Sequence, residues 1–454
     1  MSLSLLLLLL LLVGGAQASH FYGTVMTYYP KNTSSDGSLR VVARYKLGFT
    51  SCSHSDTWSC TGNCGTQTSV VLNVVQELSG EWCQREGIMI RQLTSNAPFQ
   101  LQLSGGNWIA NTQGLGSWRA LTEVELRNRS DTGQANRSPQ TTIVPGLRVP
   151  SNCRRDFNLL AFDPDGDEVK CRIGISGSEC SSCTLPSALN LSSSCTLSYN
   201  FNTSTNQGAY PIQLVMEDFP RQTINLTATS GTQVSLTTNN AISKLPVQFI
   251  VRVDAAVTDC TEGLYLPKFL PPTPANGARL FTPVNQPLEI RINAQANIST
   301  ISELLFSGPH NTNRTTDAGQ FILRWTPSAD EDGESHPFCF VVQATNSSVK
   351  YHSELRCLIV SVGIDPTNTT TQPTTMPTTT TPEVTTPDPN QYVIGLRVRI
   401  SSLFPLSEED IRTNVIQQIK DEMIRRGVPS DATLRLVSSM QLGSNTTATP
   451  VVTT

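Results

Sequence analysis

The chain has 454 residues, with 32 Lys plus Arg against 36 Asp plus Glu, so its formal charge is 32 − 36 = −4. Charged residues make up 15% and hydrophobic residues 38%, against the roughly 25% charge usual for soluble domains. This balance excludes nucleic-acid binding by bulk basicity, an acidic disordered chain and a multispanning membrane protein.

Residues 5–13 form an unbroken apolar run, followed by Ala16-Gln17-Ala18, a small-x-small cleavage pattern. This predicts a secretory signal peptide over 1–18, with Ser19 as the first mature residue. The run is too short for a spanning helix of about 20 residues, and no second apolar stretch of that length follows. The polar, threonine-rich C-terminus lacks the hydrophobic tail of a lipid-anchor signal. The expectation is a secreted, extracellular protein with no membrane span.

Residues 19–150 read as an N-terminal disulfide-containing β-module. Leu39, Val41, Ala43, Tyr45 and Leu47 alternate with polar residues, the period of a strand with one face buried. Trp58, Trp82, Trp108 and Trp118 are assigned to its core rather than to a ligand platform. Residues 151–255 and 256–366 read as two β-sandwiches, because strand patterns recur at a fixed offset. The pattern at Thr196 to Tyr199 recurs at Ile322 to Trp325, and that at Pro211 to Glu217 recurs at Pro337 to Gln343. A closing apolar strand ends each copy at a shorter offset, which places an insertion in the first copy near residues 223–238.

Trp325-Thr326-Pro327, the turn at Gly333 and the final strand ending at Val362 resemble the immunoglobulin-like and cadherin-like modules of extracellular proteins. The first copy has Tyr199 in place of the tryptophan. The resemblance implies adhesion or recognition and names no ligand. The expected fold class is mainly β: tandem β-sandwich modules, a Thr/Pro-rich linker and a small C-terminal β-α-β unit.

Residues 367–390 form the linker. Over 367–389, 12 of 23 residues are Thr and 5 are Pro, a composition unable to bury a core and typical of mucin-like O-glycosylated stalks. Over 391–440 a strand, a helix begun at Ser407 and ended at Gly427, and a second strand make the β-α-β unit. It resembles SEA-type modules, without their autocleavage motif. Residues 441–454 are expected to form a disordered tail.

Candidate sites come from three residue types. The twelve cysteines are Cys52, Cys60, Cys64, Cys83, Cys153, Cys171, Cys180, Cys183, Cys195, Cys260, Cys339 and Cys357. Cys60-x-x-x-Cys64 and Cys180-x-x-Cys183 have zinc-like spacing, but a secreted chain favours disulfides. Cys339 is expected to bridge to Cys357. If all are paired, five cysteines in the second block and three in the third require at least one bridge across the boundary, or a boundary beyond Cys260. N-glycosylation sequons lie at Asn32, Asn128, Asn190, Asn202, Asn225, Asn297, Asn313, Asn346, Asn368 and Asn445. Asn136 also heads a sequon, weakened by Pro139. Asp163, Asp165 and Asp167 lie on one Gly-containing turn and suit calcium; the alternative is a solvated turn. No other cofactor is expected.

Five scattered histidines and no hydrolase, metalloprotease or phosphate-loop motif point away from an enzyme. The expected function is that of a secreted, glycosylated, non-catalytic adhesion, matrix or coat protein. It would bind an extracellular protein or glycan through its sandwich surfaces, and not nucleic acid. The alternatives are a soluble receptor or immune-type recognition protein for a diffusible ligand, and an extracellular hydrolase.

Overall fold

The computed structural model describes residues 20–31, 39–200, 207–317 and 320–363, all within a unit spanning Met1–Gln372. The signal peptide, the sequons at Asn32, Asn202, Asn368 and Asn445, the Thr/Pro-rich linker, the β-α-β unit and the tail lie outside the described residues. Among those described, the fold is mainly β; its helical content is one 3-10 turn, Ala329–Glu331. No helix among them is long and apolar enough to cross a membrane.

The N-terminal block is an antiparallel meander. Strand Phe21–Lys31 pairs with Leu39–Phe49, which pairs with Trp82–Leu93. Trp58, Trp82, Trp108 and Trp118 are all buried. Phe21 stacks on Trp118 at 4.5 Å between ring centroids and meets Trp108 edge-on at 4.8 Å, geometries that aromatic pairs favour.

The second block is a two-sheet sandwich. One sheet runs Gly146–Pro150, Lys244–Asp254, Gly208–Phe219, Glu168–Ile173; its first pair is parallel and the others antiparallel. The other sheet is Arg155–Asn158, Thr196–Tyr199, Leu189–Leu191. The third block repeats this wiring. Ala278–Thr282 lies parallel to Arg356–Val362, followed by Ser335–Asn346 and Thr300–Ser307. Leu288–Gln295, Gln320–Trp325 and Asn313–Asp317 form the opposing sheet. The repeat in the sequence is therefore a repeat of topology, with the immunoglobulin-like arrangement of two packed sheets. The insertion in the first copy is a hairpin, Ile224–Thr227 with Gln233–Leu236.

One boundary needs correction. The expected break at 150 falls after the first strand of the second block, because Gly146–Pro150 is hydrogen-bonded along Lys244–Asp254. Nor do the first two blocks have separate sheets. Val25 pairs with Val247 and Glu123 with Lys244, giving one twelve-stranded sheet. Gly23 marks the junction: at φ +127° it approaches so closely that a Cβ would sit 2.0 Å from the Gln248 carbonyl oxygen. Only glycine fits there.

The third block also packs on the first. Phe338, Phe340, Val342, Leu358 and Val360 fill its own sandwich core. The alternate residues Cys339, Val341, Cys357 and Ile359 join the core that contains Phe21 and Val25. Side chains on a strand alternate between faces, so the continuous apolar run from Phe338 to Val342 reflects burial of both faces.

Candidate functional site

The turn at Asp163 to Asp167 follows directly from its residues. The Asp163 Oδ1 accepts the backbone N–H groups of Asp165 (2.8 Å) and Asp167 (3.1 Å), and Gly166 supplies φ +85°. The three carboxylates lie within 4.8 Å of one another. The cation among them, however, comes from the N-terminal block. The buried guanidinium of Arg129 grips both oxygens of Asp167, with Nη2 to Oδ1 at 2.8 Å, and donates to Asp131 and to the Asn136 Oδ1. Asp165 accepts from the backbone N–H and the Nε of Arg137, both at 2.7 Å.

Of the six carboxylate oxygens on this turn, only the Asp163 Oδ2 lacks a protein donor. Calcium takes six to eight oxygen ligands. With Arg129 and Arg137 in place the donor set does not fit calcium; a guanidinium stands among the carboxylates. The electrostatics agree. Burial opposes the Arg129 charge, but hydrogen bonds to Asp167 and Asp131 raise its pKa above the ordinary range. Burial, with Asp218, Asp167 and Asp165 adding repulsion, pushes the Asp163 carboxyl up to about 8. Burial likewise raises Asp218, whose oxygens accept from Asn136 and from the backbone and hydroxyl of Ser243.

Asn136 is fully buried in this network and is therefore not an acceptor for a glycan in the folded chain. Asn128, Asn190, Asn225, Asn297 and Asn313 are exposed, and Asn346 is half-buried. Asn128 and Asn225 sit on neighbouring strands, with Thr227 opposite Asn128 and Leu226 opposite the buried Arg129. Both sequons therefore face outward over the arginine.

A second acidic cluster was not singled out as a ligand set in the sequence. Glu331, Glu334 and His336 are buried together, on the turn and strand following Ser328. Again the N-terminal block supplies the cations: Lys31 pairs with Glu334, and the Arg44 Nη2 lies 3.1 Å from both Glu331 and Glu334. Lys46 pairs with Glu86 at 2.6 Å, and His310 meets Glu86 at 2.7 Å. Burial, then the charges of Arg44, Lys46 and Lys31, hold His336 well below the usual histidine range. Its Nε2 has no hydrogen-bond partner. His352 is neutral by geometry, since its Nδ1 accepts the Arg148 N–H at 3.2 Å.

All twelve cysteines are paired: 52–83, 60–64, 153–260, 171–195, 180–183 and 339–357. Cys153–Cys260 is the bridge across the second boundary. Cys339 and Cys357 face each other on adjacent strands.

No family model and no curated protein sequence matches this chain. Among solved structures, an endo-fucoidan hydrolase from glycoside hydrolase family 107 aligns over 68% of this chain and 39% of its own, at 13% identity and a TM-score of 0.17. Another hydrolase of that family is covered over 34% of its length, so this chain spans little more than a third of either enzyme. The I-band fragment I67–I69 from titin aligns over 71% of this chain and 93% of its own, at 8% identity and a TM-score of 0.15. At these scores neither likeness bears on what the chain does.

Proposed function

We propose that this is a secreted, glycosylated, non-catalytic recognition protein of the adhesion, matrix or coat type. Its ligand would be an extracellular protein or glycan met on the outer strands and loops of the sandwiches. The observation that carries this reading is the full pairing of twelve cysteines in a clasped β-sandwich head. Structural disulfides belong to oxidising compartments, and exposed sequons on several faces agree with passage through them. The acidic clusters that would attract catalytic interest are committed to arginine, lysine and backbone partners, which supports a binding role over a hydrolytic one.

The test is expression of the full chain in mammalian secretory cells. The expected product is in the medium, shows no free thiol by mass spectrometry and loses mass on N-glycan removal. Beads coated with it should cluster or capture matrix-coated beads. Retention in the cell with reduced cysteines, or turnover of glycan or peptide substrates by the purified protein, overturns the reading.

A further inference from the structure

A groove of about 300 Å3 runs between the second and third blocks, within the size range of small-ligand sites at domain junctions. Its floor is apolar: Leu159, Leu160 and Ile359 are all buried. Arg279, on strand Ala278–Thr282, is the one charged residue lining it. The guanidinium lies over the Phe162 ring, 4.6 Å from the centroid, and no carboxylate pairs with it among the described residues. Stacking holds the planar fork in place without using its hydrogen-bond donors.

Two amides flank the arginine, and both are oriented. The Asn158 Oδ1 accepts the Thr196 hydroxyl at 3.0 Å, and the Asn276 Oδ1 accepts the Cys357 N–H at 2.7 Å. Each oxygen thus accepts a protein donor, and both asparagines line the groove.

We propose that this groove receives a carboxylate-bearing sugar, a sialic or uronic acid residue at a glycan terminus. A single guanidinium fork matches one planar carboxylate in bidentate fashion. A phosphate cluster would call for more positive charge than one arginine. The neutral amide donors suit sugar hydroxyls, and the apolar floor suits the C–H face of a pyranose ring. The inference rests on the recognition reading above and names its ligand class.

The test uses the full secreted chain, treated with sialidase so that its own glycans do not compete. Binding of 3′-sialyllactose, a hyaluronan disaccharide, lactose and a triglutamate peptide is measured in solution. One or both acidic sugars should bind about tenfold or more tightly than lactose, the worth of one charge-assisted hydrogen-bond pair. Which of the two binds tells sialic from uronic acid. Arg279→Met keeps a side chain over Phe162 without charge; it should keep the wild-type melting temperature and lose the preference. Asn276→Ala should weaken whichever acidic sugar binds. Equal binding of lactose, an unaffected Arg279→Met, or triglutamate binding as well as the sugars overturns the inference. Such a failure leaves secretion, thiol oxidation and bead capture standing or falling on their own.

Discussion

The N-terminal block meets the second and third blocks at two seams built from the same components and tuned differently. At the first seam Arg129 is enclosed by Asp131, Asp165 and Asp167. At the second, Lys31 and Arg44 share Glu331 and Glu334. In both, the N-terminal block supplies the cation and a sandwich supplies the acid, with Asp131 the one acid that comes from the N-terminal block itself. The first has one fully buried cation facing more carboxylates than it can neutralise. The second distributes its positive charge over two partly exposed side chains with a neutral histidine beside them. Glu334 at the second seam faces two cations, whereas at the first Arg137 serves Asp165 and Asp167 depends on Arg129; this difference sets how each seam responds to mutation, pH and ions.

The largest effect is expected at the first seam. Arg129→Met leaves Asp167 buried beside an apolar side chain, and breaking a buried pair on one side costs about 3–5 kcal/mol. Urea unfolding of the secreted protein should show this loss, or the variant should fail secretion while Arg129→Lys passes. Arg44→Met should cost less, about 1–3 kcal/mol, because Lys31 still faces Glu334. Equal losses at the two seams would remove the distinction between them.

Acidity should separate the seams by sign. Asp163 titrates near 3.8 when unfolded and is pushed up to about 8 in the fold. The folded state holds the extra proton between those values, so this contribution is complete below 3.8 and is lost as pH rises through about 8. His336 is depressed from its ordinary 6.5. Its contribution is complete above 6.5 and is lost as pH falls below that value. Asp163→Asn should therefore flatten the decline in melting temperature between about pH 4 and 8. His336→Gln should flatten the decline between pH 6.5 and 5. A variant that leaves its own limb unchanged refutes the assignment for that seam.

The smallest expected response is to calcium. The wild-type protein should melt at one temperature in millimolar-scale calcium and in chelator. Arg129→Met, with its carboxylates released, should gain stability from calcium by ligand linkage. Calcium stabilisation of the wild type would show that Arg129 does not fill the site.

Much of this was legible locally. Leu288–Gln295 alternates as a one-sided strand should, with Ile290 and Ile292 buried. The hairpin that lengthens the first sandwich was visible as a change of offset. The acidic turn was visible in Asp163-Pro-Asp-Gly-Asp167, but its partner was not. Arg129 lies 38 residues from Asp167, inside the sequon Asn128-Arg129-Ser130, and side-chain pairing over that distance leaves no local pattern. Strand Gly146–Pro150 went to the wrong block for a related reason. Its parallel partner begins about a hundred residues later, and parallel pairing carries no hairpin signal. His336 sits inside an apolar strand, where one histidine reads as an irregularity.

The central claim is that a guanidinium from the N-terminal block ties it to the second block by direct coupling to Asp167. A double-mutant cycle with Arg129→Met and Asp167→Asn, read by urea unfolding at pH 7, measures that coupling. The account predicts an interaction energy of about 2 kcal/mol or more, with the double variant less damaged than the sum of the singles. Additivity within about 0.5 kcal/mol would contradict it.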